Sequence, residues 1–206
     1  MKSINALRSL TLVLASAGLS TASAQSPDQM AQDVLARSPV IDGHNDVPEQ
    51  IAARFDRDLS QFDFRDTLPT MGAGSKPMHT DLARLRQGRV GGQFWSVWID
   101  PELPEFEAVQ RVIEQIDIVH RLVGQYPDDL QLALTAADVE AARKQGRIAS
   151  LIGMEGGHSI GNSLAVLRQT YALGARYMTL THWKTLDWAD SATDAPKSDG
   201  LSDFGV

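Results

Sequence analysis

"IASLIGMEGG", residues 148–157, is the stretch that decides the fold class of this chain. Its residues are apolar or small almost without interruption until the carboxylate of Glu155. A continuous apolar run of this length is typical of a strand buried on both faces, as in parallel sheets covered by helices. The two glycines after Glu155 allow the backbone to turn sharply where the strand ends. The stretch therefore predicts a buried parallel strand that ends in a carboxylate.

The segments on either side alternate between helical and strand patterns. The predicted helices cover residues 25–37, 80–88, 105–124, 135–147 and 163–174, and the predicted strands cover residues 39–44, 91–100, 130–134, 148–155 and 175–182. This alternation predicts parallel strands with helices packed outside, in an α/β sheet or barrel. About five strands are present, whereas a complete (β/α)8 barrel needs eight.

Two local signals refine this outline. Thr80 is the predicted N-cap of the helix over residues 80–88, and Gly88 is its predicted stop. Residues 56–76 are polar and rich in Gly, Pro and Asp, so they are predicted to form a long functional loop.

Polar groups recur where the predicted strands end. His44 and Asp46 follow the first strand, Glu155 ends the strand over 148–155, and His182 ends the strand over 175–182. In parallel α/β folds the carboxyl ends of the strands form one rim, which carries the active site. Because His44 and Asp46 are two residues apart in an extended segment, their side chains are expected on one face, where both can bind a divalent cation.

Each of these residues also has a structural interpretation. A His-x-Asp pair occurs in surface turns, and Glu155 could cap the next helix, although Asn162 or Ser163 suits that cap. His182 could equally be a hydrogen-bonded structural histidine. Around it, Trp183 and Trp188 flank a polar loop whose composition suits the wall of a substrate pocket.

Composition excludes several classes of function. The net charge is −7 and no basic run is present, which argues against a nucleic-acid partner. The chain contains no cysteine, so a metal site must be built from His, Asp and Glu, a donor set suited to zinc or another divalent ion. Phosphate-binding loops, nucleophile elbows and His-Glu-x-x-His helices are also missing from the sequence.

Residues 1–24 have the three parts of an export signal. A positive start with Lys2 and Arg8 precedes an apolar segment over 10–19 and small residues at 22–24. The alternative is a buried N-terminal helix. The signal predicts a periplasmic or secreted protein that lacks a transmembrane segment once the signal is removed.

Four motifs in order resemble the membrane dipeptidase (renal dipeptidase) family of zinc metallopeptidases. They are "DGHNDVP" (42–48), "LIGMEGGHSI" (151–160), "LRQTYALGARYMTLTH" (167–182) and "WADS" (188–191). The resemblance implies a (β/α)8 TIM-like metal-dependent hydrolase barrel, of which residues 25–206 would be the incomplete N-terminal portion. It also implies that the 206-residue chain alone is inactive, because the remaining metal ligands would follow Val206.

The resemblance also implies roles for the residues at the strand ends. His44 and Asp46 would bind one of two zinc ions, and Glu155 would bridge both. His182 would contact the substrate and the developing oxyanion. The implied reaction is hydrolysis of a dipeptide by a metal-activated hydroxide. Family members often have an aromatic residue at the position of Glu49, a difference that bears on substrate preference.

Other functions remain open at this point. One is another metal-dependent amide or ester hydrolase on the same barrel. A second is a non-catalytic periplasmic binding protein that has lost its metals. The oligomeric state is also open, with a homodimer as one alternative.

Overall fold

The computed structural model describes residues 25–61, 63–70, 76 and 78–206. The predicted signal peptide, residues 1–24, lies outside the described residues. The α-helices are α1 (Pro27–Arg37), α2 (Val47–Phe55), α3 (Thr67–Thr70), α4 (Leu82–Gln87), α5 (Glu105–Gln125), α6 (Ala136–Lys144) and α7 (Leu164–Ala172). The strands are β1 (Val40–Asn45), β2 (Val90–Trp98), β3 (Leu130–Leu132), β4 (Ile148–Glu155) and β5 (Ala175–Met178).

All five strands belong to one parallel sheet with β4 near its centre. The order is β1-β2-β4-β3, and β5 also pairs with β4. β3 pairs with the first half of β4, at Ile148–Ser150, and β5 pairs with the second half, at Ile152–Met154. Strands β1, β2, β4 and β5 are thus neighbours in the sheet in the same order as in the chain, as the strands of a (β/α) barrel are. The short strand β3 is an addition beside the start of β4.

The core lies between the sheet and the long helix α5. Trp95 and Val97 of β2 are fully buried, and so are Val112 and Val119 of α5, because these residues recur on one face of each element. Phe106 is 76% exposed, since it lies in the first turn of α5, outside the packed stripe. Burial of the stripe holds α5 against the sheet.

Two local predictions before β2 need correction. Asp81 caps α4, because its side chain accepts a hydrogen bond from the backbone N–H of Arg84, a role predicted for Thr80. Residues 56–76, predicted as a loop, include α3 and a short 3₁₀ helix at Leu59–Gln61.

The last strand is shorter than the sequence pattern predicts. β5 ends at Met178 and not at His182, since β4 itself ends at Glu155 and offers no further regular partner. The chain still follows β4 for two more residues, because the backbone N–H of Gly157 donates a hydrogen bond to the carbonyl oxygen of Leu180 at 3.1 Å. His182 therefore lies beyond the strand but on the same side of the sheet as its end.

A further helix was not anticipated. α2 begins at Val47, directly after Asp46, and its first turn contains Pro48, a residue favoured at the start of a helix. The N-terminal end of α2 therefore adjoins the end of β1. Throughout the described part of the chain, no helix is long and apolar enough to cross a membrane.

Asp81 is a buried charge that is fully hydrogen-bonded. Its side chain accepts hydrogen bonds from Thr67 and from the guanidinium group of Arg84, at 2.8–3.1 Å. Burial raises the pKa of Asp81, but the hydrogen bonds from Arg84 and Thr67 outweigh it, and the net pKa is lowered. A carboxyl whose pKa is lowered on folding stabilises the protein above its unfolded pKa, and this contribution is lost as the pH falls.

We expect Asp81→Asn to destabilise the complete protein by about 1 kcal/mol at pH 7, because Asn keeps the cap but loses the charged partner of Arg84. Urea unfolding at pH 7 and at about pH 3 would measure the loss, which should shrink at the lower pH. Asp66→Asn is the matched control, because Asp66 is exposed and accepts one backbone hydrogen bond. An equal loss in both variants would contradict the assignment.

Candidate metal centre

The predicted site residues lie at one edge of the sheet. His44 is the penultimate residue of β1, Asp46 follows this strand directly, and Glu155 is the last residue of β4. β2 lies between these two strands, and its Trp98 pairs in register with Glu155. Parallel pairing therefore carries the three side chains to the same rim, although 109 positions separate Asp46 from Glu155.

The ligand atoms are close to one another. His44 Nε2 lies 3.0 Å from Asp46 Oδ1 and 3.3 Å from Glu155 Oε2. One ligand atom of each of the three residues falls within 4.8 Å of the other two. His182 Nε2 lies 3.1 Å from Glu155 Oε1. The two oxygens of Glu155 thus face different histidines.

Asp46 reaches this position in a different way from the one expected. It is not part of the extended strand, because its φ and ψ of −85° and 19° place it at the N-cap position of α2. Its side chain makes no capping hydrogen bond to the helix. The carboxylate is therefore directed to His44 and stays available as a ligand.

A cavity of about 270 Å³ opens over these groups. It is lined by His44, Asp46, Glu49, Gln50, Trp98, Glu155 and His182. Among the ion pairs of the residues that the structure describes, Asp46 and Glu155 have only histidine partners. Two carboxylates without Lys or Arg partners, beside an imidazole nitrogen, form a donor set that fits a divalent cation such as zinc.

A protein-family model matches most of the chain. Residues 28–206 match the family model described as membrane dipeptidase (peptidase family M19). The chain belongs to this family.

Two curated members are similar in sequence. Dipeptidase ataJ of Aspergillus terreus is 44% identical over 183 residues, which cover 85% of the chain and 43% of that protein. Dipeptidase verJ of Clonostachys rogersoniana is 42% identical over 187 residues, which cover 85% of the chain and 46% of that protein. The chain thus spans less than half the length of these two curated members.

A solved structure shows the same fold. It is a metallopeptidase from Rhodobacter sphaeroides, liganded with a phosphinate mimic of the dipeptide L-Ala-D-Ala. The TM-score is 0.66 at 19% identity, and the match covers 81% of the chain and 53% of that structure. This similarity confirms the predicted α/β fold class of the membrane dipeptidase chain.

Neighbouring side chains hold the strand-end residues of this family member in place. Ser96 Oγ donates a hydrogen bond to Glu155 Oε2 at 3.2 Å, and the backbone N–H of His44 donates to Asp42 Oδ1 at 3.1 Å. Tyr177 of β5 donates its hydroxyl hydrogen to the carbonyl oxygen of Gly43 at 3.0 Å. Partners of this kind orient metal ligands.

Sequence reasoning missed Tyr177. Its ring crosses the face of β4 above Gly153 and contacts the ring of Phe94, with centroids 5.1 Å apart. Burial raises the pKa of Tyr177, and the negative charges of Glu155 and Asp46 raise it further, so the hydroxyl keeps its proton. The one available signal was Gly153 itself, a position without a side chain in an otherwise apolar strand.

The aromatic residues near His182 divide into two groups. Trp98, which the sequence did not single out, contacts both His182 and Trp183, with ring centroids 5.9 and 5.6 Å away. Trp183 lies edge-on to His182 at 4.5 Å. Trp188 was expected in the pocket wall but is 4% exposed and packs on Phe204. The contacts of Trp98 and Trp183 restrict the orientation of the His182 ring.

The other histidines have structural contacts. His158 Nε2 donates a hydrogen bond to the carbonyl oxygen of Ile99, just after β2, at 2.8 Å. Burial lowers the pKa of His158, so its ring is neutral at pH 7. His120 Nε2 donates to the carbonyl oxygen of Leu173 at 2.7 Å. His79 lines a second cavity of about 340 Å³, which His44 and Asp46 also border.

Proposed function

We propose that the complete protein containing this chain is a zinc-dependent dipeptidase. The observation that carries the proposal is the carboxylate of Glu155, with one oxygen at His44 and the other at His182, beside Asp46. His44, Asp46 and Glu155 would hold the metal. Bound zinc would lower the pKa of a water molecule, so that hydroxide is available near neutral pH.

A second ion is part of this proposal. Glu155 supports it, because a carboxylate whose oxygens point in two directions can serve two cations. Ser96 donates to the Oε2 atom and so restrains the rotation of the carboxylate. The chain spans less than half the length of its two curated relatives, and the remaining ligands of a second ion would come from the rest of the complete protein.

His182 is proposed to act on the substrate. Its side chain lines the same cavity as the candidate metal ligands, and its ring contacts those of Trp98 and Trp183. An N–H at this position can donate a hydrogen bond to the oxygen that becomes negative when the peptide carbonyl is attacked. Donors of this kind stabilise the transition state by about 3–4 kcal/mol.

The choice of a dipeptide as substrate is supported by the relatives. The two curated relatives are named dipeptidases, and the structure from Rhodobacter sphaeroides holds a dipeptide mimic. A cavity of about 270 Å³ at the candidate metal ligands is a suitable size for a small part of such a substrate. Export of the protein to the periplasm or medium rests on the signal pattern of residues 1–24, and the homodimer stays a prediction.

Metal content and substrate choice of the complete protein test the proposal together. We expect the purified protein to contain zinc, to hydrolyse unmodified dipeptides, and to lose turnover on chelation and regain it with added zinc. N-acyl amino acids and simple esters are the comparison substrates. Faster turnover of these compounds would identify a different hydrolase. Absence of both zinc and turnover would favour the non-catalytic binding protein.

A further inference from the structure

The cavity at the candidate metal ligands contains one carboxylate more than the proposed centre uses. Its lining includes Asp46, Glu49 and Glu155, and none of the described residues that line it is a Lys or Arg. The cations of the proposed centre would be held by Asp46 and Glu155, so the charges of those two residues are taken up by the metal. The negative charge of Glu49 then remains at the cavity wall, and it favours a positively charged group in the cavity.

Glu49 forms no ion pair with a Lys, Arg or His of the described residues, whereas Asp46 and Glu155 beside it both pair with His44. The Glu49 side chain is half-buried in the first turn of α2, and its Oε2 accepts a hydrogen bond from Gln50 Nε2 at 2.5 Å. That bond satisfies one oxygen and fixes the side chain at the cavity wall. The other oxygen remains available for a ligand.

The same lining includes one tryptophan. The ring of Trp98 borders the same cavity, and its contacts with His182 and Trp183 fix its position. A carboxylate together with an aromatic ring is a chemical environment that binds ammonium groups, through an ion pair and a cation–π contact.

We propose that Glu49, in the cavity it shares with Trp98, binds an ammonium group of the substrate. This inference rests on the proposed dipeptidase function and names a residue that selects the substrate. The ammonium group has two sources in a dipeptide, the α-amino group and a lysine side chain. Both present the same chemistry to a carboxylate, and substrates that lack one or the other distinguish them.

The test compares Glu49→Gln with the unmodified complete protein, loaded with zinc. Glutamine keeps the size of the side chain and removes its charge. We expect KM to rise about tenfold for dipeptides that bear the recognised ammonium group, with kcat and zinc content little changed. Lysine-containing dipeptides, their norleucine analogues and N-acetylated dipeptides identify the source. Glu140→Gln is the matched control, because Glu140 is exposed on α6 and pairs with Arg143.

A binding measurement separates this inference from the peptidase proposal. Butylammonium binding to the zinc-loaded protein, followed by NMR, needs no turnover, and we expect it to weaken about tenfold in Glu49→Gln. If the protein hydrolyses no dipeptide but butylammonium binding still depends on Glu49, the peptidase proposal fails, and Glu49 is an ammonium site for a different ligand. Unchanged KM and unchanged butylammonium binding would overturn the inference. A lower melting temperature with unchanged KM would show that Glu49 only stabilises the start of α2.

Discussion

Replacing Glu155 by glutamine is expected to remove zinc binding and dipeptide hydrolysis together. The amide keeps the shape of the side chain but loses the negative charge and one of the two oxygens that face His44 and His182. We expect zinc affinity to fall by more than about 100-fold, since even residues that only orient metal ligands contribute about 10- to 100-fold. Competition titration with a chromogenic chelator would measure zinc affinity, and dipeptide turnover would be followed in parallel.

Two further variants make this result specific to Glu155. Glu140→Gln makes the same chemical change on an exposed helix and should alter neither quantity. In excess zinc, His182→Ala should still bind the metal while kcat falls about 100- to 1000-fold, because the proposed role of His182 is to stabilise the oxyanion. Full zinc content in Glu155→Gln would show that Glu155 is not a ligand.

Replacing Gly153 by alanine is expected to destabilise the complete protein by about 2–4 kcal/mol. A Cβ atom at Gly153 would overlap the ring of Tyr177. The ring would have to move, which would break the hydrogen bond from Tyr177 to Gly43 and disturb the contact with Phe94. Overpacking of a buried site costs about 1–3 kcal/mol, and the lost hydrogen bond adds about 1 kcal/mol. Urea unfolding would measure the change.

Gly124→Ala is the matched control for this prediction. Gly124 lies within α5, and a Cβ atom there would meet no atom within 4 Å. Alanine should therefore stabilise the protein by up to about 1 kcal/mol, through helix propensity alone. The same chemical change is thus expected to lower the free energy of unfolding at Gly153 and to raise it at Gly124. A Gly153→Ala protein as stable as the unmodified one would show that Tyr177 does not occupy this position.

The elements that were correctly predicted carry local signals. The apolar run of β4 needs no long-range information, because a strand buried on both faces must be apolar throughout. The start of α6 was predicted at Thr135, whose side chain accepts a hydrogen bond from the N–H of Asp138 in a capping box. The start of α4 was not predicted correctly, because Thr80 and Asp81 are both residue types that suit an N-cap. Contacts with Thr67 and Arg84 favour Asp81.

The residues that were missed depend on the pairing of distant strands. Trp98 enters the cavity because it pairs in register with Glu155. Tyr177 reaches Gly43 because β5 pairs with the second half of β4 and its ring crosses the position of Gly153. Neither contact has a periodic pattern in the sequence.

By itself, the sequence determined the alternation of strands and helices, the parallel class of the sheet, and the residue types available as metal ligands. These features follow from the order of apolar and polar residues along a short segment, which sets burial within each element. The tertiary structure decided which atoms share the cavity. Strand register brings Trp98 and Tyr177 to the rim or beneath it, and the start of α2 directly after β1 brings Glu49 there. Register depends on packing between segments far apart in the chain.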